Sequence, residues 1–174
     1  LDHVALTVRD LTISGAWYRA LLDTEPDIDA HSDDGFHHQV WLFEGGTAFG
    51  LHQHDHPGDP TRFSELRTGL DHLAFGCADR GELEQWAEHL DTVGVDHGAI
   101  VDTEYGSVLS FRDPDGIALE FFAPPGGSAT YLPVPMVHQE DGDAPHGTVE
   151  STGVRRSTGR SGDGDSGSSG GRRR

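Results

Sequence analysis

The sequence predicts an α+β fold made of two tandem strand–helix–three-strand (βαβββ) units, and three observations carry the prediction. Leu70–Cys77, LDHLAFGC, repeats the opening octapeptide LDHVALTV at an offset of 69 residues. Over the first 27 positions eight are identical without a gap, including Asp10 with Asp79, Trp17 with Trp86 and Leu21 with Leu90. A repeat of this length marks two copies of one supersecondary unit. In both copies a strictly alternating stretch gives way to helical spacing. The large apolar side chains stop near residue 125, so the two units must build one core between them.

The elements follow in order. In Leu1–Val8, Val4, Leu6 and Val8 face one way and His3, Ala5 and Thr7 the other, which is a strand with one apolar face. Ile13, Ala16, Trp17, Ala20 and Leu21 then recur at helical spacing, with Thr12 or Ser14 as the N-cap. An acidic stretch follows, with a short strand near Ile28 and an Asp33-Asp34-Gly35 turn. Phe36–Phe43 and Thr47–His54 are strands around the turn at Glu44-Gly45-Gly46. This closes the first unit, residues 1–54. Residues 55–69 hold Pro57, Gly58, Pro60 and Gly69 and serve as the connection.

The second unit, residues 70–125, opens with Leu73, Phe75 and Cys77 on one face and His72, Ala74 and Gly76 on the other. Asp79 with Glu82 three residues on reads as a capping pair. Leu83, Trp86, Ala87 and Leu90 mark the buried stripe of the helix, and Gly94 ends it. An irregular strand over Val95–Val101 and strands over Ser107–Arg112 and Ile117–Phe122 complete the unit. Asp113-Pro114-Asp115-Gly116 is the turn between the last two.

Composition narrows the function classes. The formal charge is −18, and residues 1–125 account for all of it, with 24 Asp and Glu against six Arg. Such a domain repels nucleic acid and anionic membrane. The absence of Lys removes Schiff-base chemistry and the P-loop lysine. The single cysteine, Cys77, excludes an intrachain disulfide framework and a cysteine-rich zinc site, and its place on an apolar strand face reads as core. No apolar run reaches membrane-spanning length and no signal peptide is visible, so a cytoplasmic location is expected. Residues 126–174 are rich in Gly, Ser, Thr and Asp and are expected to form a disordered tail, with one semi-apolar patch at Tyr131–Val137.

The chemistry sits on the small-residue faces. If helices cover one side of the sheet, His3, His72 and Glu120 all point to the other. A half-buried carboxylate needs a partner. Two imidazoles and a divalent metal supply one, in a two-His, one-carboxylate set with open coordination positions. The competing reading has two strand-edge histidines and a solvated glutamate. The duplication favours the metal, because it places a histidine at the same point of both units.

The motifs LDHVALTVRDL, GLDHLAFGCAD and FRDPDGIALEFF, within paired βαβββ units, resemble the vicinal oxygen chelate superfamily over residues 1–124. That superfamily holds glyoxalase I, extradiol dioxygenases, fosfomycin-resistance transferases, methylmalonyl-CoA epimerase and bleomycin-resistance proteins. The resemblance implies one cup-shaped, partly closed mixed sheet with helices on its outer face. It also implies one divalent metal ion (Fe, Mn, Zn, Ni or Co) held by His3, His72 and Glu120. Such an enzyme chelates vicinal oxygens of a small oxygen-rich substrate and performs isomerase, lyase or dioxygenase-type chemistry, commonly as a homodimer. The alternative is a metal-free module of the bleomycin-resistance type that sequesters a cationic small molecule.

The sequence departs from the family pattern at the fourth ligand position. Aligning Gly46 with Gly116 puts Gly50 opposite Glu120, and glycine cannot bind a metal. His52 shares that strand face and is the candidate fourth ligand or acid/base group, while His54 lies nearer the strand end. Alternatively the metal has three protein ligands. His38, one of the adjacent pair His37 and His38, and Tyr105 are candidate substrate contacts.

Overall fold

The computed structural model describes residues 1–57 and 61–126. The expectations for the tail, including Tyr131–Val137, lie outside the described residues. The first unit contains β1 (His3–Thr7), α1 (Leu11–Leu22), β2 (Ile28–Ser32), β3 (Phe36–Leu42) and β4 (Ala48–His54). The second contains β5 (Leu73–Gly76), α2 (Arg80–Val93), β6 (Val101–Thr103), β7 (Gly106–Arg112) and β8 (Ala118–Ala123). The units form two four-stranded mixed sheets with the orders β1-β4-β3-β2 and β5-β8-β7-β6. In each, the opening strand pairs in parallel with the last, and the other pairings are antiparallel. The α+β class and the two-module plan are therefore as the repeat indicates. The sheets do not close into one cup: β1 and β5 are each an edge strand.

Alternation decides which face each sheet buries. Leu6 and Val8, with Phe49 and Leu51 on β4, turn toward α1, and Phe75, Cys77, Leu119 and Phe121 turn toward α2. These helix-bearing faces share one core. Phe49 meets Phe75 edge-on at 5.8 Å, Trp17 of α1 lies 6.3 Å from Phe111 of β7, and Trp86 stacks on Phe121 at 4.2 Å. A fully buried Phe or Leu contributes roughly 1.5–3 kcal/mol by leaving water. Cys77 lies fully inside this core, and its thiol is pushed up to about 12 chiefly by burial. It packs as a small apolar group and is not a nucleophile at neutral pH.

Helix α1 corrects two expectations. Its N-cap is Asp10, whose Oδ1 accepts from the amides of Thr12 and Ile13 at 2.9 and 3.2 Å, not Thr12 or Ser14. Its buried face is Leu11, Ser14, Gly15, Tyr18, Leu21 and Leu22, while Ile13 is exposed. The small Ser14 and Gly15 let the helix approach the sheet: an added Cβ at Gly15 would lie 2.1 Å from Oε1 of buried Gln39. In α2, Asp79 caps and Gly94 terminates at φ 75°, as expected. Between α2 and β6 the expected strand reduces to a single bridge of His97 with Phe111.

The Asp113–Gly116 turn does more than reverse the chain. Asp113 Oδ1 accepts from the amides of Asp115 and Ile117 at 2.9 and 2.7 Å, and Tyr18 Oη of α1 donates to Asp113 Oδ2 at 3.2 Å. Asp115 accepts from the Arg9 amide at 3.0 Å, from Arg9 Nε and from the Ser14 hydroxyl. Both carboxylates are buried, so the turn of the second module plugs into the start of α1 in the first. Burial raises the Asp113 carboxyl above its ordinary value, and burial together with Asp113 holds Tyr18 firmly protonated as a donor.

Candidate metal centre

The second module brings two predicted residues together. The register of the parallel β5–β8 pair sets Ala74 beside Glu120, and His72 lies two residues earlier on the same face. His72 Nδ1–H donates to Asp71 Oδ1 at 2.7 Å, leaving Nε2 directed to Glu120 Oε1 at 3.4 Å. The Asp71 hydrogen bond, followed by the charge on Glu120, raises the imidazole above its ordinary value. The pair borders an open cavity of about 530 Å³ that Ser110 and His97 also line. A carboxylate on the far nitrogen of a histidine is the arrangement that fixes the ring and its tautomer in metal sites.

The first module repeats part of this. His3 Nδ1–H donates to Asp2 Oδ2 at 2.9 Å, so the Leu-Asp-His repeat is a repeated carboxylate–imidazole pair. The sequence showed both aspartates, but an aspartate beside a histidine carries no orientation until the backbone turns the two together. Ala5 pairs with Gly50 in β1–β4, the counterpart of Ala74 with Glu120. Gly50 therefore stands where the second module has its carboxylate. His52 fills the space: its Nε2 lies 3.7 Å from the point where a Cβ on Gly50 would be.

His52 sits in an aromatic cluster. It stacks on Phe36 at 4.5 Å with the rings 9° apart, and faces its cross-strand partner His38 at 5.6 Å. Burial, then the neighbouring His38, His54 and His3, lowers its pKa, so the ring is neutral at neutral pH. Nδ1 of His38 is buried with no hydrogen-bond partner among the described residues. His37 turns to the other face and meets Asp29. Tyr105 lies in the β6–β7 turn with 73% of its surface exposed, and does not line the cavity at His72 and Glu120.

The three expected ligands are thus split two and one. His72 neighbours Asp71 and Glu120, while His3 neighbours Asp2 and His52. Among the described residues no group of three or more His, Cys, Asp or Glu is arranged to hold a metal ion. The His72–Glu120 pair by itself fits two adjacent coordination positions. Donors about 2.1 Å from one ion stand roughly 3.0–3.4 Å apart between octahedral and tetrahedral angles, and an imidazole nitrogen with a carboxylate oxygen suits a divalent transition metal.

Two tandem βαβββ modules, each with a histidine at the start of its edge strand, define a class of small paired-module α+β proteins. The sequence matches the Glyoxalase/Bleomycin resistance protein/Dioxygenase superfamily over residues 1–121, and the chain belongs to that superfamily. It is 35% identical to a glyoxylase/bleomycin resistance protein/dioxygenase domain from Frankia sp. EAN1pec, with a TM-score of 0.64 over 71% of this chain and 96% of that one. It is 32% identical over 77 residues to a putative ring-cleaving dioxygenase, MhqA, of Bacillus subtilis (strain 168), covering 44% of this chain and 24% of that protein. The chain thus spans about a quarter of that curated relative. The fold is also that of the fosfomycin resistance protein FosX of Listeria monocytogenes, solved with Mn(II) and a dihydroxypropylphosphonic acid. That likeness is 19% identical with a TM-score of 0.53, over 70% of this chain and 90% of that one. Among the described residues no helix is long and apolar enough to cross a membrane.

Proposed function

We propose that the chain is a glyoxalase-like, divalent-metal-dependent enzyme acting on a small substrate with vicinal oxygens, by isomerase, lyase or dioxygenase-type chemistry. The observation that carries this reading is the His72–Glu120 pair, 3.4 Å apart on an open cavity, with the ring set by Asp71. The third ligand would be His3 of a second copy. β1 and β5 are both edge strands; His3 opens the first and His72 immediately precedes the second. Pairing the β1 edge of one copy with the β5 edge of another would bring His3 toward His72 and Glu120 and give a homodimer with two equal sites. A divalent metal held by these residues would supply Lewis acidity toward the substrate oxygens.

The chain's own residues supply the rest. His52 is neutral and presents Nε2 over Gly50, where it takes or returns a proton of the substrate. Phe36 holds that ring in place by stacking, and Val40, Ala5 and Gly50 give the apolar floor. His38 contacts the substrate beside His52. The ring-cleaving dioxygenase relative supports retaining dioxygenation among the reaction classes.

Metal analysis of the purified protein tests the proposal. One divalent ion per chain is expected, and its loss in His72→Ala/Glu120→Ala. Protein that takes up no metal at neutral pH, even after reconstitution, overturns it. The second reading, metal-free sequestration of a cationic compound, draws on the charge of −18 and on the separation of His3 from the His72–Glu120 pair. Titration with a cationic glycopeptide tests it, and absence of binding heat removes it.

A further inference from the structure

We infer that residues 61–69 of the connection, with Thr7 and Arg9, form a binding site for a phosphate-class dianion in a cavity distinct from that of the His72–Glu120 pair. Residues 1–125 contain six arginines against 24 acidic residues, yet three of the six line one cavity of about 260 Å³. These are Arg9, Arg62 and Arg67, and Thr7, Ser64 and Thr68 add hydroxyls to the same wall. The other three arginines are neutralised where they stand, Arg19 by Glu25, Arg80 by Glu84 and Asp102, and Arg112 by Glu65.

Within the cavity the balance is different. Arg67 spends its two amino groups on neutral oxygens, Nη1 on Thr61 Oγ1 at 2.7 Å and Nη2 on the Arg62 carbonyl at 2.8 Å, which orders the guanidinium without cancelling its charge. The Arg62 guanidinium meets no acceptor among the described residues. Arg9 gives its Nε to Asp115, the one carboxylate in the lining among the described residues, and that carboxylate is buried and already shared with the Arg9 amide and Ser14. Among the described residues, three guanidiniums against one saturated carboxylate leave local positive charge on a chain that is otherwise strongly negative.

The donor count selects the ligand. Planar guanidinium forks pair with carboxylate or phosphate, but several forks ringed by hydroxyls offer more donors than the two oxygens of a carboxylate accept. A tetrahedral dianion uses them. Free phosphate and a phosphate ester share this chemistry.

Titration calorimetry of the full chain, stripped of metal by chelator and held at constant ionic strength, tests the site with inorganic phosphate. Saturable one-to-one binding is expected, and it should persist in His72→Ala/Glu120→Ala, which separates it from the metal reading. Arg62→Ala removes no contact within the described chain, so it should fold normally and weaken phosphate by about tenfold or more, the scale of one charge-assisted hydrogen bond. Arg80→Ala, outside the cavity, should leave it unchanged. Methyl phosphate binding as tightly as phosphate assigns the site to an ester, and exclusion of methyl phosphate assigns it to the free ion; both support the dianion. No saturable binding, acetate binding as tightly as phosphate, or equal effects of Arg62→Ala and Arg80→Ala overturn the inference.

Discussion

His72 and Glu120 face each other across the parallel β5–β8 pair, Nε2 to Oε1 3.4 Å, with the far nitrogen of the imidazole tied to Asp71 at 2.7 Å. If this pair is half of a metal centre, Asp71 tunes it without touching the ion. Asp71→Asn is expected to lower metal affinity about 10–100-fold while the fold stays intact, the usual effect of removing an outer-shell carboxylate. Competition with a chelator of known affinity measures it. Affinity unchanged from the parent protein removes Asp71 from the site.

A shared centre between two copies makes a complementation prediction. His3→Ala chains and Glu120→Ala chains each bind little metal alone. When unfolded together and refolded, a mixed dimer regains one complete site, from His72 and Glu120 of one chain and His3 of the other. Metal content rising in the mixture above both parents supports the shared site. A mixture that equals the average of the parents places the ligands within one chain or dispenses with His3.

His52 is kept neutral by burial and by His38, His54 and His3 around it. Its proton-exchange midpoint, followed by the ring proton resonances, is expected below the ordinary imidazole value of about 6.5. A group that resists protonation only in the fold makes stability fall as pH drops through the unfolded imidazole value, and His52→Gln removes that component. Once a substrate is in hand, the same variant should cost about 10²–10⁴ in rate if His52 carries the proton. A midpoint at or above 6.5 argues against a neutral base.

The Asp113 carboxyl is held above its ordinary value by burial. Folded protein therefore binds more protons there than unfolded protein does, so stability falls as pH rises from the ordinary aspartate range through the raised value, then levels. Asp113→Asn keeps an acceptor for the Asp115 and Ile117 amides and an amide donor toward Tyr18. Its thermal midpoint is expected to lose the Asp113 component of this slope and to hold at neutral pH. An unchanged slope, with lost stability at neutral pH, refutes the assignment.

Gly15 sets the approach of α1 to the sheet. Gly15→Ala puts a methyl 2.1 Å from Gln39 Oε1, and Gln39 is itself held by Asp29 at 2.8 Å. A cost of about 1–3 kcal/mol in denaturant unfolding is expected from the forced shift, despite the higher helix propensity of alanine. Gln39→Ala in the same chain should relieve much of it, because the two changes share one contact.

The amino-acid order by itself determined the two modules, both helices, every strand but β6, and the division of the paired strands into a packing face and a site face. These are short-range properties: the 69-residue repeat, period-two alternation at His3–Thr7 and Leu73–Gly76, and the caps at Asp79 and Gly94 are all written in adjacent residues. It also placed Gly50 against Glu120, and the register of β1–β4 and β5–β8 agrees. Tertiary structure decided what the periodicity left open. The buried side of α1 follows Gly15 and Tyr18, not Ile13, because closeness to Gln39 and reach to Asp113 outweigh the side chain's own hydrophobicity. The Asp113–Gly116 turn reads locally as a reversal, yet Asp113 and Asp115 bind Tyr18, Arg9 and Ser14 some hundred positions away. Whether His3 joins His72 and Glu120 depends on how two separate sheets meet, a choice made by the packing of their helix-bearing faces, which no local pattern encodes.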